Sequence, residues 1–146
     1  TLFNYYPSKV DAVMGPDLVI PAEALAVFTA AGPTGDLIED LQALVFAILD
    51  NEGVDPEELA RIDRLIHANP VLLANMKQRF HALVARVVAA AAKRESAPVT
   101  SREARIAIAV LAGVADCTIN EYLENPALDF AEVFAGSIAT VRRLFG

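Results

Sequence analysis

Apolar side chains recur along the chain at three- and four-residue spacings, and no stretch keeps the two-residue alternation of a half-buried strand. That period predicts an all-α protein, a bundle of about seven helices. Ser8 opens a short helix that stops at Gly15-Pro16. Pro21 stands ahead of a second, Ala22–Ala31, which ends at Gly32-Pro33. Thr34 or Asp36 caps a third, Leu37–Asp50, with Leu37, Ile38, Leu41, Leu44, Val45, Ile48 and Leu49 on one face. Asp55-Pro56-Glu57-Glu58 starts a fourth, to about His67: a capping carboxylate, a first-turn proline, then acids at the positive end of the dipole. Asn69-Pro70 repeats the device for a long fifth helix, about Val71 to Glu95, in which Leu73, Met76, Phe80, Leu83, Val84, Val87 and Ala91 stay in register.

The two remaining helices carry more apolar surface than one core needs. Thr100-Ser101-Arg102-Glu103 is a capping box for a helix reaching about Glu124, and Asp129 with Glu132 starts the last, to about Phe145. From Ile106 to Ala115 the first of these is apolar all round, so it must be covered on two sides. The last has an apolar stripe (Phe130, Val133, Phe134, Ile138, Val141, Leu144) and a row of small residues, Ala131, Ala135 and Ala139 with Gly136 nearby. Such a pair suits a symmetric four-helix interface with two helices from each protomer. Ile108, Leu111, Ala135, Ile138 and Val141 are the candidate contacts of that homodimer. The same surplus also fits an interior seam of a monomer.

Composition narrows the class. The chain has 146 residues, 55% of them hydrophobic, and one cysteine, which excludes an internal disulfide framework and fits a reducing cytoplasm. The ten-residue apolar run from Ile106 falls short of the ~20 residues that span a bilayer. No membrane partner is called for. Nineteen acidic against twelve basic residues give a net charge of −7, the wrong balance for holding nucleic acid unaided.

Little in the sequence points to catalysis. There is no glycine-rich phosphate loop, serine elbow or carboxylate pair set apart from helix caps, so neither an enzyme nor a cofactor is expected. Cys117, beside an apolar stretch, reads as a buried, inert thiol. Asp63 and His67 stand four apart on one helical face and offer two metal ligands, but no Cys/His cluster accompanies them and no metal site is assigned. The other reading of His67 is an imidazole suited to a helix C-terminus. A binding function fits better. Bundles seat guests between facing helices, and Phe28, Phe46, Met76, Phe80 and Tyr122 are large groups on stripes that should converge. His81 reads as a half-buried polar group in the pocket wall, with Arg79, Arg105 and Asn120 as further orienting groups. The guest would be a small, largely apolar molecule; each of these side chains also suits an ordinary core.

The opening residues add a more specific signal. Thr1-Leu2-Phe3-Asn4-Tyr5-Tyr6-Pro7-Ser8-Lys9 places aromatic hydroxyls, an amide and a lysine beside a turn into a helix. The string resembles the end of the helix-turn-helix of the TetR family of bacterial transcriptional regulators, with Thr1, Phe3, Tyr5 and Lys9 fitting its pattern and Asn4 at a variable, base-reading place. Packing of these aromatics on a helical core is the plainer alternative. The resemblance implies that residues 1–14 are the remnant of a DNA-binding domain and the start of a connecting helix, with further helices upstream of Thr1. Residues 15–146 are then an effector-binding and dimerisation domain. It further implies a repressor that binds operator DNA as a homodimer and is released by an effector. Thr1 and Asn4 would lie near bases or phosphates, and Tyr5 and Lys9 on phosphates. A helical carrier or dimerisation protein without a DNA role is the alternative.

Overall fold

Side-chain caps set where the helices begin. The computed structural model describes residues 19–52, 56–95 and 99–146, and six helices occur among them: α1 (Ala22–Thr29), α2 (Leu37–Glu52), α3 (Pro56–Ala68), α4 (Pro70–Ala92), α5 (Ser101–Glu124) and α6 (Phe130–Phe145). The helix expected after Ser8, and the Asp55 cap, lie outside the described residues. Asp36 rather than Thr34 caps α2, accepting from the Glu39 N–H at 3.1 Å. Asn69 accepts from Val71 and Leu72 ahead of α4, and Asp129 from Ala131 and Glu132 ahead of α6. At α5 the Thr100 hydroxyl accepts from the Glu103 N–H, the first half of the predicted box, and donates to the Glu103 carboxylate, a side-chain bond in place of the box's second, backbone one. Each cap satisfies donors that a helix N-terminus leaves without partners.

The stripes then decide the packing. α5 is the central helix, in contact with α2, α3, α4 and α6, while α1 packs on α2 and α4. Leu41, Leu44 and Ile48 of α2, Val84, Val87, Val88 and Ala91 of α4, Ala104, Ala107, Leu111 and Val114 of α5, and Phe130, Phe134 and Ile138 of α6 form one core. Ile66 and Leu72 anchor a smaller cluster between α3 and α4, with Ile62, Leu73 and Met76 around them. By length and composition α5 meets the requirement for a membrane span, but its Ala104, Ala107, Leu111, Val114 and Ile119 are buried against the other helices. It is a core helix. The stripes overreach in three places, because Val45, Phe80 and Leu144 are exposed at 39%, 40% and 61%.

A buried ion pair ties the α1–α2 loop to the end of α4. Asp40 accepts from the Thr34 N–H at 2.8 Å, the Thr34 hydroxyl at 2.7 Å and the Gly35 N–H at 3.2 Å. Arg94 donates to the same carboxylate at 2.8 Å and to the Phe28 carbonyl at 3.1 Å, with its guanidinium 4.8 Å from the centre of the Phe28 ring. Burial works to raise the Asp40 pKa. The bonds from Arg94 and Thr34, with the Arg94 charge, outweigh it and hold the carboxyl below its usual 3.8.

Candidate functional site

The last two helices are half covered. On α5, Ala107, Leu111, Val114 and Thr118 face inward, and the Thr118 hydroxyl lies 3.3 Å from that of Ser137 on α6. The opposite side leaves Ile106, Ala109, Ala112 and Gly113 exposed, and α6 does the same with Ala131, Ala135, Gly136 and Ala139. Two side chains expected at a dimer interface, Leu111 and Ile138, are instead buried in the protomer's own core. Ile108 and Val141 are half-buried at its margin, and Ala135 alone of the five is exposed. The sequence had the helices but not the sides, since a segment apolar all round does not say which face turns inward.

Two glycines mark the uncovered side. Beyond the backbone of its own helix turn, a Cβ added at Gly113 or Gly136 meets no atom of the described protomer within 4 Å, so no packing contact there requires glycine. Each lies in the interior of a long helix, where glycine costs about 1 kcal/mol relative to alanine. Close approach of a further helix is the physical use of such positions.

Beside this face lies an open groove of about 520 Å³ between α2 and α6, lined by Gln42, Ala43, Phe46, Ala135, Ile138 and Ala139. The Phe46 ring meets Phe134 edge-on, with centroids 5.4 Å apart, and so forms a wall of the groove. Arg142 stands at one end, donating to Asp36 at 2.8 Å and lying 4.0 Å from Glu39. That bond holds the Asp36 carboxyl below its ordinary pKa.

Of the six residues expected to bind a ligand, three, Phe28, Phe46 and Tyr122, belong to or pack against the main core cluster. Phe28 is buried beneath Arg94, Tyr122 packs on Phe130 with ring centres 5.9 Å apart, and Met76 belongs to the separate α3–α4 cluster. Phe80 and His81 are exposed, so His81 is not the half-buried pocket group the sequence suggested. Phe46 alone of the six lines the α2–α6 groove. Cys117 is exposed rather than buried, because it lies on the uncovered side of α5. Thr1, Asn4, Tyr5 and Lys9 lie outside the described residues.

The Asp63–His67 pair gains a third member. Asp116 of α5 brings its carboxylate to α3, so that one ligand atom from each of Asp63, His67 and Asp116 falls within 4.8 Å of the others. Nothing in the spacing of α3 reveals Asp116; its only trace is an acid directly after the apolar run of α5. The His67 Nδ1–H donates to the Asp63 carbonyl at 2.8 Å, which, with the Asp63 charge, raises the imidazole pKa above 6.5. Burial raises the Asp63 pKa, the His67 charge opposes that, and Asp116 adds to the rise.

A family model described as the MftR C-terminal domain, from the TetR regulators, matches residues 36–146. The chain belongs to the TetR family. The match runs from the cap of α2 to the end of α6, and so takes in both the groove and the uncovered helix pair of this TetR-type domain. Comparison with curated proteins and with solved structures gave no match.

Proposed function

We propose that this TetR-type chain is the effector-binding and dimerisation part of a one-component transcriptional repressor. Two copies join through the exposed sides of α5 and α6, and the observation that carries this is the pair of mid-helix glycines, Gly113 and Gly136, facing open space. A second copy laid there turns two local costs into a close helix–helix contact and covers Ile106, Ala109 and Ala135. Residues 1–14 are the tail of the DNA reader in this proposal, with Thr1, Asn4, Tyr5 and Lys9 toward operator DNA. The acidic remainder, 15–146, then senses and dimerises in the cytoplasm.

The effector is small and largely apolar, and the α2–α6 groove is its seat. Phe46, Ala43, Ala135, Ile138 and Ala139 supply the apolar lining, with Gln42 and Arg142 as polar anchors. A guest there touches Ala135 and Ala139, next to the dimer face, and can favour a dimer whose half-site spacing mismatches the operator. The test is DNA selected from a random pool by the intact gene product. An inverted repeat with half-sites about 10 bp apart, or a multiple of that, is the expected product. Recovery of no sequence above background contradicts the repressor reading.

A further inference from the structure

The geometry points to a divalent transition-metal site made by Asp63 and His67 of α3 with Asp116 of α5, taking Zn²⁺ or a cation of similar size through one nitrogen and two oxygens. It rests on this side-chain cluster and not on the regulator reading.

Three features carry it. First, the ligand atoms already lie within 4.8 Å of one another although they come from two helices. Around Zn²⁺, with bonds of about 2.0–2.2 Å, ligand atoms stand roughly 3–3.5 Å apart. The remaining closure is within the reach of side-chain rotation, since His67 is 55% and Asp63 23% exposed.

Second, the imidazole is set for coordination. A carbonyl can only accept, so the 2.8 Å contact with the Asp63 carbonyl places the proton on Nδ1 of His67, the nitrogen 3.4 Å from the Asp63 carboxylate, and leaves the Nε2 lone pair of the neutral ring to be brought to a metal by side-chain rotation. A ligating histidine ordinarily has its other N–H held in this way, and here the bond sets the tautomer before the metal arrives. Third, among the described residues neither carboxylate is ion-paired with a lysine or arginine, and the cation beside them is His67 itself when protonated, 3.4 Å from Asp63. Elsewhere in the fold, Asp36 and Asp40 are each paired with an arginine.

The donor set selects the metal class. Imidazole with carboxylates suits Zn²⁺, Ni²⁺ or Co²⁺, and three protein ligands leave further positions for water or a fourth donor. A bound ion would staple the α3–α4 hairpin to α5 on the edge next to Ala112 and Gly113, so metal occupancy would bias the same helix proposed to dimerise.

The experiment is titration of the chelator-stripped chain with Zn²⁺ by calorimetry, with thermal melts alongside. One Zn²⁺ per chain with a micromolar or tighter Kd, and a Tm that rises on saturation, are expected. His67→Gln and Asp116→Asn each weaken binding at least tenfold and abolish the Tm shift. Asp116 is exposed, so its variant folds even where His67→Gln does not. Co²⁺ gives d–d bands without the near-ultraviolet charge-transfer band of a thiolate. Binding only at millimolar Zn²⁺, binding unchanged in both variants, or binding lost on Cys117→Ser overturns the site. None of these results bears on dimerisation in chelator or on operator recognition, which test the regulator reading separately.

Discussion

Ala31 stands where a glycine is ordinarily found. At the end of α1 its N–H reaches the Phe28 carbonyl and the Gly32 N–H reaches that of Val27, the two bonds of a Schellman turn. The residue between them is left-handed, and here it is Ala31 at φ 63°. A non-glycine side chain there costs about 1–2 kcal/mol, so Ala31→Gly should raise the Tm, and a fall would contradict the turn. The Gly32-Pro33 pair marks the end of α1 to within two residues, the helix closing at Thr29 rather than Ala31, because a dipeptide signal does not say which residue turns left-handed. Arg94 is a second case. Its sequence neighbour Lys93 is exposed while Arg94 is 2% exposed, and nothing local separates them, because the partner Asp40 lies 54 residues away. Removing one member of such a pair leaves a buried charge alone, so Arg94→Met should cost about 3–5 kcal/mol in urea denaturation. The acid limb of stability follows from Asp40. Its folded pKa lies below 3.8, so the pair's contribution is complete above that value and is lost as pH falls through the folded pKa. Asp40→Asn should flatten the decline in Tm below about pH 4, and an unchanged decline would assign it to other carboxylates.

At the scale of elements, helix starts were the most legible feature. Asp36, Asn69, Thr100 and Asp129 each cap the helix that their sequence context predicted, because capping is a local event within one turn. Sidedness was less legible. Leu111, exposed Cys117 and exposed Ile106 share one helix that is apolar nearly all round, and only its neighbours decide what is hidden. The pocket was least legible, since a large apolar side chain reads alike whether it fills a core, as Phe28 does, or walls a groove, as Phe46 does. Gly136→Ala separates the energetics of a helix from those of its contacts. With no atom beyond its own helix turn within 4 Å of the added methyl, the single chain should gain about 1 kcal/mol of helix stability at concentrations where dimers dissociate. The dimer should weaken, because the methyl occupies the approach of the partner helix. A gain in both states would mean that nothing packs there.

For the whole molecule, charge and family divide the work. A net charge of −7 gives this chain little affinity for a polyanion by itself, while the TetR-type domain spans residues 36–146 and contains the Asp40–Arg94 pair and the uncovered helix pair. In the proposed function DNA recognition falls to the amino-terminal side, and these helices sense and assemble. Loss of the groove's aromatic wall in Phe46→Ala should therefore abolish the thermal shift given by an apolar effector while leaving association intact; an undiminished shift would move the effector elsewhere.

Sedimentation equilibrium of the chain at micromolar concentration, beside Gly136→Glu, decides whether α5 and α6 pair between two copies. A dimer that the glutamate converts to a folded monomer is expected, since the added side chain meets open space within its own protomer and would meet the proposed partner helix beyond it. A wild-type monomer, or a dimer indifferent to Gly136→Glu, would contradict that pairing.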